Sequence, residues 1–137
     1  MNKNFNSAQA PEPVGSYPHA KKVGGFLFLS GVGPRKKGEK EIPGVTLSKG
    51  GLVMEYDIRK QCVAVFENIK LILEEAGSSW EKIVDVTVFL TNMDKDFEEY
   101  NKLYTKYFEN PFPTRTTIEV RSLPTPIAIE LKVIATI

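Results

Sequence analysis

The sequence is poor in the residues that build disulfides, metal centres and nucleophilic triads. It has one cysteine, Cys62, and one histidine, His19, among 137 residues. One cysteine cannot form an intrachain disulfide, and it fits a reducing compartment. The two residues also fall short of a zinc site of known ligand spacing, and a lone histidine with no paired acid nearby argues against a Ser–His–Asp triad. We therefore expect no metal in the site.

Glycine-rich nucleotide motifs are missing as well. Gly31-Val32-Gly33 lacks the third glycine and the following helix of a dinucleotide fingerprint, and the chain has no G-x-x-x-x-G-K-[ST] loop. Together with the missing metal ligands, this predicts a site that works without a cofactor.

Long apolar runs and an excess of one charge are also lacking. No apolar stretch approaches the roughly 18 residues that span a bilayer, and residues 1–15 lack the apolar run of a secretory signal. Lysine and arginine number 18 against 17 aspartates and glutamates, for a net charge of +1. Nucleic-acid and anionic-membrane binders concentrate positive charge. We expect a cytoplasmic protein with neither kind of partner.

What the chain does contain is the apolar periodicity of one α+β domain. Apolar residues make up 42% of it, enough for a single core across residues 1–137, with residues 1–10 loosely ordered. Short β-branched or aromatic runs predict strands at 25–31, 83–91, 114–121 and 128–137. Three- and four-residue spacing predicts helices at 56–76 and 94–108. A long loop is predicted at 32–51.

The order of these elements is typical of an α+β sandwich with one sheet and two helices on one face. In this arrangement the last two strands pair as a hairpin. Two helices cover only one face of the sheet, yet both faces of the strands carry apolar residues, as Ile83 and Phe89 do opposite a row of valines. Because an uncovered apolar face costs roughly 25 cal/mol per Å², we expect a homo-oligomer.

Two charged residues stand in strands that are otherwise apolar or threonine-rich. Glu130 is either an exposed residue of an edge strand, paired with Lys132, or a carboxylate in a partly dry cleft whose raised pKa lets it exchange protons with water. Arg115 is either a surface salt-bridge partner or a bidentate clamp for a substrate carboxylate. Composition alone favours the surface interpretation of both residues.

Several short motifs follow one another in a fixed order from about residue 10 to the C-terminus. They are Gly15-Ser16-Tyr17, Ser30-Gly31, Asn68, Tyr100-Asn101-x-x-Tyr104, Pro113-x-Arg115, Leu123-Pro124 and Ile129-Glu130-Leu131. This series resembles the RidA family of reactive-intermediate deaminases. The resemblance implies a small homotrimer with a chorismate-mutase-like fold, in which two helices pack on one face of a mixed sheet. It also implies an active cleft between subunits that hydrolyses enamines and imines without metal or cofactor.

The same resemblance assigns roles to five residues. Arg115 matches the arginine that clamps the substrate carboxylate, and Glu130 matches the residue that activates the attacking water. Tyr17, Ser30 and Asn101 match positions that line the cleft.

Two departures and three longer segments refine the resemblance. Val32 stands where the family usually has glutamine, and Thr117 stands where it commonly has cysteine. The segments 15–20, 29–35 and 123–131 are similar to 2-aminomuconate deaminases. That similarity implies an unsaturated dicarboxylate enamine as the substrate and an oxo-acid and ammonia as the products.

The second carboxylate of such a substrate needs a cation of its own. We expect Arg35 or Lys36, on the loop 33–51, to receive it, although neighbouring glutamates favour a solvated loop. Val32 and His19 favour this specialised substrate over the alternative of a general deaminase of 2-aminoacrylate-type imines. An alternative of another class is a non-catalytic trimeric binder of small carboxylates or a regulatory protein, which would need Arg115 but not Glu130.

Overall fold

Eight strands and two α-helices make up the fold in the computed structural model, which describes residues 2–137. The strands are β1 (Lys3–Phe5), β2 (Ala20–Val23), β3 (Phe26–Leu29), β4 (Val45–Leu47), β5 (Val53–Tyr56), β6 (Ile83–Leu90), β7 (Thr114–Glu119) and β8 (Ile129–Thr136). The helices are α1 (Ile58–Glu75) and α2 (Met93–Tyr107). A short 3-10 turn spans Trp80–Lys82.

Six of the strands form one mixed sheet in the order β1-β2-β3-β8-β6-β7. β6 and β7 run parallel, and the other neighbours run antiparallel. The predicted hairpin of the last two strands is therefore wrong, because β6 lies between them. A helix connects β6 to β7, which lets these two strands run in the same direction. β8 alternates buried residues along its length and takes a central place, whereas threonine-rich β7 forms an edge.

Both helices pack on one face of this sheet, which confirms the predicted α+β architecture. α1 begins after Asp57, whose side chain accepts hydrogen bonds from the backbone N–H groups of Arg59 and Lys60. The helices and the covered face of the sheet share one core, to which Phe66, Ile69, Leu73, Tyr100, Val86, Val88, Leu131 and Val133 belong. No helix within residues 2–137 has both the length and the apolar character needed to cross a bilayer.

The other face of the sheet is left open in this chain. Phe26, Phe28 and Ile118 are among the large apolar side chains exposed on it. The strand pairs Phe28–Ile134 and Phe89–Glu130 place residues of the two central strands on this same face.

The N-terminal segment is tied to the sheet where the sequence predicts loose order. β1 pairs with β2, and His19 holds the residues that follow β1. Its Nδ1 accepts the backbone N–H of Ser7 at 2.8 Å, so Nε2 carries the proton and donates to the carbonyl oxygen of Pro11 at 2.7 Å. His19 therefore links backbone segments. The predicted 32–51 loop likewise contains β4, which pairs with β5.

Candidate active site

Glu130 lies on the central strand β8, opposite Phe89 of β6, and points to the open face of the sheet. It is half-buried, and this burial raises the pKa of its carboxyl. Lys132 donates instead to the carbonyl oxygen of Leu29 at 2.7 Å, and Glu130 makes no salt bridge within residues 2–137. Glu130 is thus a partly desolvated carboxylate on a central strand.

Gly31 makes room for this carboxylate. A Cβ added to Gly31 would lie 2.5 Å from Oε2 of Glu130 and 2.8 Å from its Cδ. The strand β3 ends just before this point, and Val32 pairs with Leu131 to continue the contact between the two segments. The backbone of Gly31 and the carboxylate of Glu130 are therefore in direct contact.

A small cavity of about 40 Å³ adjoins the other side of this segment, and three of the predicted cleft residues line it. These are Tyr17, Ser30 and Arg35. The Ser30 hydroxyl donates to the carbonyl oxygen of Pro18 at 2.8 Å, and Arg35 Nη2 donates to the carbonyl oxygen of Glu12 at 2.9 Å. The structure thus brings these three residues together and fixes two of them through backbone carbonyls.

Arg115 lies on the edge strand β7, opposite Val86 of β6, and points to the side covered by α2. Its guanidinium carbon lies 4.7 Å from the ring centroid of Tyr104, 5.6 Å from that of Tyr100 and 6.0 Å from that of Phe97. In residues 2–137 it has no carboxylate within salt-bridge distance. Aromatic faces rather than counter-charges hold this cation, so its donors can serve an anion.

Arg115 and Glu130 do not share a pocket within one chain. β6 separates their strands, and they pair with Val86 and Phe89, respectively. Successive side chains of a strand alternate between the two faces, so two residues three positions apart point to opposite sides. A site that uses both the cation and the carboxylate therefore needs residues from two copies of the chain.

Asn101 lies on α2, next to Tyr100. Its backbone carbonyl accepts a hydrogen bond from the Thr105 hydroxyl at 2.6 Å. It is half-buried, and it shares with Arg115 only the neighbourhood of α2.

Three buried hydroxyls near Arg115 are functional candidates that the sequence analysis missed. Tyr100 Oη, Tyr104 Oη and Thr117 Oγ1 have no hydrogen-bond partner among residues 2–137. Burial raises the pKa of both tyrosines, and the charge of Arg115 partly offsets this effect. The signal that could have revealed Thr117 is its spacing, because a residue two positions after Arg115 lies on the same face of β7.

A buried carboxyl also lies away from these residues. Asp96 of α2 accepts a hydrogen bond from the Tyr56 hydroxyl at 2.7 Å, and burial raises its pKa. This bond ties β5 to α2. No group of three or more His, Cys, Asp or Glu side chains in residues 2–137 is arranged to hold a metal ion.

Comparison with known proteins agrees with this architecture. The family described as Endoribonuclease L-PSP matches residues 7–137. A RutC family protein of Pyrococcus horikoshii is 40% identical over 135 residues, which cover 98% of each chain. The crystal structure of RidA from the Antarctic bacterium Psychrobacter sp. PAMC 21119 superposes with a TM-score of 0.83 at 30% identity and covers 98% of this chain and 99% of the other. That of E. coli TdcF with bound serine has a TM-score of 0.82 at 30% identity, with 98% of each chain covered.

Proposed function

Because the chain belongs to the L-PSP family, which includes RutC and RidA proteins, we propose that it hydrolyses enamines or imines of small carboxylic acids and releases ammonia. The observation that carries this proposal is the pair of Arg115, a cation without a counter-charge, and Glu130, a half-buried carboxyl with a raised pKa. The first suits capture of a substrate carboxylate, and the second suits proton exchange with water. Neither role requires a cofactor.

The site is formed between copies of the chain in a homotrimer. Arg115 and Glu130 point to opposite faces of one sheet, and the exposed face with Phe26 and Phe28 needs a cover. Contact between copies would cover this face and bring the guanidinium of one copy beside the carboxylate of another.

The chemistry follows from the properties of the two residues. Arg115 binds the substrate carboxylate and so fixes the neighbouring C=N carbon. Glu130 takes a proton from water as the water oxygen bonds to that carbon, which gives a carbinolamine. Glu130 then returns the proton to the nitrogen as the C–N bond breaks, and this leaves a C=O group and ammonia. Tyr17 and Ser30 contact the substrate or the water from the neighbouring cavity.

The substrate we propose is 2-aminomuconate or a similar unsaturated amino-dicarboxylate. Arg35 supports this choice because it lines the same cavity as Tyr17 and Ser30. Its Nη2 binds a backbone carbonyl, which leaves other N–H donors for a second carboxylate. Lys36 is less suited because it pairs with Glu67 at 3.6 Å. The previously favoured role of His19 in substrate choice loses support, since both ring nitrogens bind backbone groups.

Two alternatives remain, each with a distinct outcome. A general deaminase would turn over 2-aminoacrylate-type imines faster than 2-aminomuconate. A non-catalytic binder would bind small carboxylates and release no ammonia. TdcF, whose structure contains bound serine, gives a precedent for a small carboxylate ligand.

The experiment measures ammonia release from both substrates by wild type and by Arg35→Ala. We expect wild type to prefer the dicarboxylate and Arg35→Ala to raise its KM for that substrate alone. Arg121→Ala, at an exposed arginine beyond β7, is the matched control. Unchanged kinetics in Arg35→Ala would remove the dicarboxylate assignment, and no ammonia from either substrate would remove the deaminase.

A further inference from the structure

The three hydroxyls around Arg115 are unusual because they are buried and unpaired. Tyr100 and Tyr104 lie on α2 one helical turn apart, and Thr117 lies on the strand below them. Their oxygens have almost no contact with solvent and no hydrogen-bond partner in residues 2–137. Buried hydroxyls are normally paired, because an unpaired one destabilises the fold. Three in one place indicate that a polar group from outside the chain satisfies them.

The position of Arg115 identifies the chemistry of that group. The two tyrosine rings hold the guanidinium at 4.7 and 5.6 Å, and Thr117 follows Arg115 by about 6.6 Å along the same face of β7. The cluster therefore combines one cation with three O–H donors and has no acceptor of fixed negative charge. Such a set of donors suits an anion with several lone pairs.

A carboxylate fits this set better than a compact point charge does. Its two oxygens take two parallel hydrogen bonds from a guanidinium and still have lone pairs for further donors. Arg115 alone would leave those lone pairs to water. The hydroxyls beside it can supply the remaining hydrogen bonds in a place that water reaches poorly.

We propose that Thr117 and Tyr104, supported by Tyr100, complete the carboxylate-binding pocket of Arg115 and set its affinity for small 2-oxo and 2-imino acids. This inference rests on the proposed function, because it assumes that Arg115 binds the substrate carboxylate. The hydroxyls hold the carboxylate in the ground state and the transition state alike. They therefore act on KM and leave kcat nearly unchanged.

The test measures binding of 2-oxobutanoate, a non-reactive probe of the product class, by calorimetry, together with KM and kcat for imine hydrolysis. The variants are Thr117→Val, Thr117→Ser and Tyr104→Phe. The matched controls are Thr116→Val, on the opposite face of β7, and Tyr107→Phe, at an exposed tyrosine of α2. Melting temperature without ligand is recorded for all of them.

We expect Thr117→Val to raise Kd and KM about tenfold and Tyr104→Phe to raise them several-fold, as the loss of a hydrogen bond to a charged group does. Thr117→Ser should restore most of the affinity. The melting temperature of Thr117→Val and Tyr104→Phe should stay the same or rise, because an unpaired hydroxyl has been removed. A merely structural hydroxyl would instead lower it.

Two outcomes overturn the inference, and one of them spares the proposed function. If Arg115→Ala abolishes probe binding while Thr117→Val and Tyr104→Phe bind like wild type, the hydroxyls have no role and the deaminase site stands. If Thr117→Val weakens binding only with a fall in melting temperature that Thr117→Ser does not rescue, the hydroxyl is structural. If Arg115→Ala itself binds and turns over normally, the proposed function fails as well.

Discussion

Glu130 and Arg115 have opposite surroundings although both are partly buried charges without a counter-charge in residues 2–137. Glu130 lies on a central strand beside Gly31, and burial alone raises the pKa of its carboxyl. Arg115 lies on an edge strand against three aromatic rings, which bind its cation without neutralising it. One environment makes a carboxyl easier to protonate, and the other keeps a cation available. The difference teaches that each region supplies one half of a site.

The largest effect is expected from removing the proton carrier. Glu130→Gln keeps the shape of the side chain but cannot accept a proton from water, so kcat/KM should fall about 10²- to 10⁴-fold. In wild type the rate should fall with decreasing pH at a value above that of an ordinary glutamate, because burial raises the pKa of Glu130 and protonation removes the base. Ammonia release measured against pH checks both points.

Glu109→Gln, at an exposed glutamate after α2, is the control for this variant and should behave like wild type. Near-normal turnover by Glu130→Gln would show that the desolvated carboxyl has no part in the reaction.

Removing the cation comes next. Arg115→Ala should lose at least about 2 kcal/mol of transition-state stabilisation, or roughly 30-fold in kcat/KM, because it deletes a charge-assisted hydrogen bond to the substrate carboxylate. Arg115→Lys should recover only part of this, since an ammonium lacks the two-pronged geometry. The kinetics of Arg121→Ala serve as the baseline, and equal kinetics in Arg115→Ala would contradict the assignment.

A smaller effect is expected from Gly31→Ala. The added Cβ would lie 2.5 Å from Glu130 Oε2, so the flexible carboxylate must move away. We expect kcat to fall about tenfold from this misplacement, with little loss of stability. Gly25→Ala introduces a Cβ that meets nothing within 4 Å and should leave the rate unchanged. If both alanine variants have wild-type rates, the position of the carboxylate is not critical.

The smallest effect separates a structural carboxyl from the catalytic one. Burial raises the pKa of Asp96, as it does for Glu130. A carboxyl with a folded pKa above its unfolded value loses stabilisation as pH rises through the folded value. Asp96→Asn should therefore be more stable than wild type at neutral pH, by about 1 kcal/mol or less, and this gain should vanish in acid.

Urea unfolding of wild type and Asp96→Asn at several pH values measures this difference. Turnover should stay unchanged, because Asp96 binds Tyr56 far along α2 from the site. A rate loss in Asp96→Asn would mean that a raised pKa alone does not distinguish the two carboxyls.

The periodic elements of the fold could be predicted from the sequence. The apolar stripe of 56–76 predicted α1, and the alternation in 83–91 predicted β6. β1 and β4 were missed because strands of three residues are too short to show a period. The pairing of the last strands was wrong because alternation within a strand says nothing about which strand lies beside it.

The same reason limits prediction of the site. The residue motifs predicted Tyr17, Ser30 and Arg35 as neighbours, and they line one cavity. The opposite orientation of Arg115 and Glu130 depends on sheet order and register, which only the folded chain reveals. Tyr100 and Tyr104 were interpreted as core residues. Their rings are buried, but their unpaired hydroxyls depend on contacts that no spacing pattern encodes.

Mixing two inactive variants tests the central claim, that one copy supplies the cation and another the carboxylate, most directly. Arg115→Ala and Glu130→Gln are unfolded together, refolded at equal concentration and assayed for ammonia release. If the site forms between copies, random assembly should give about a quarter of wild-type activity, since that share of sites receives both intact residues. If mixed assemblies form but activity stays at the level of the separate variants, both residues act within one copy or not together, and the account is contradicted.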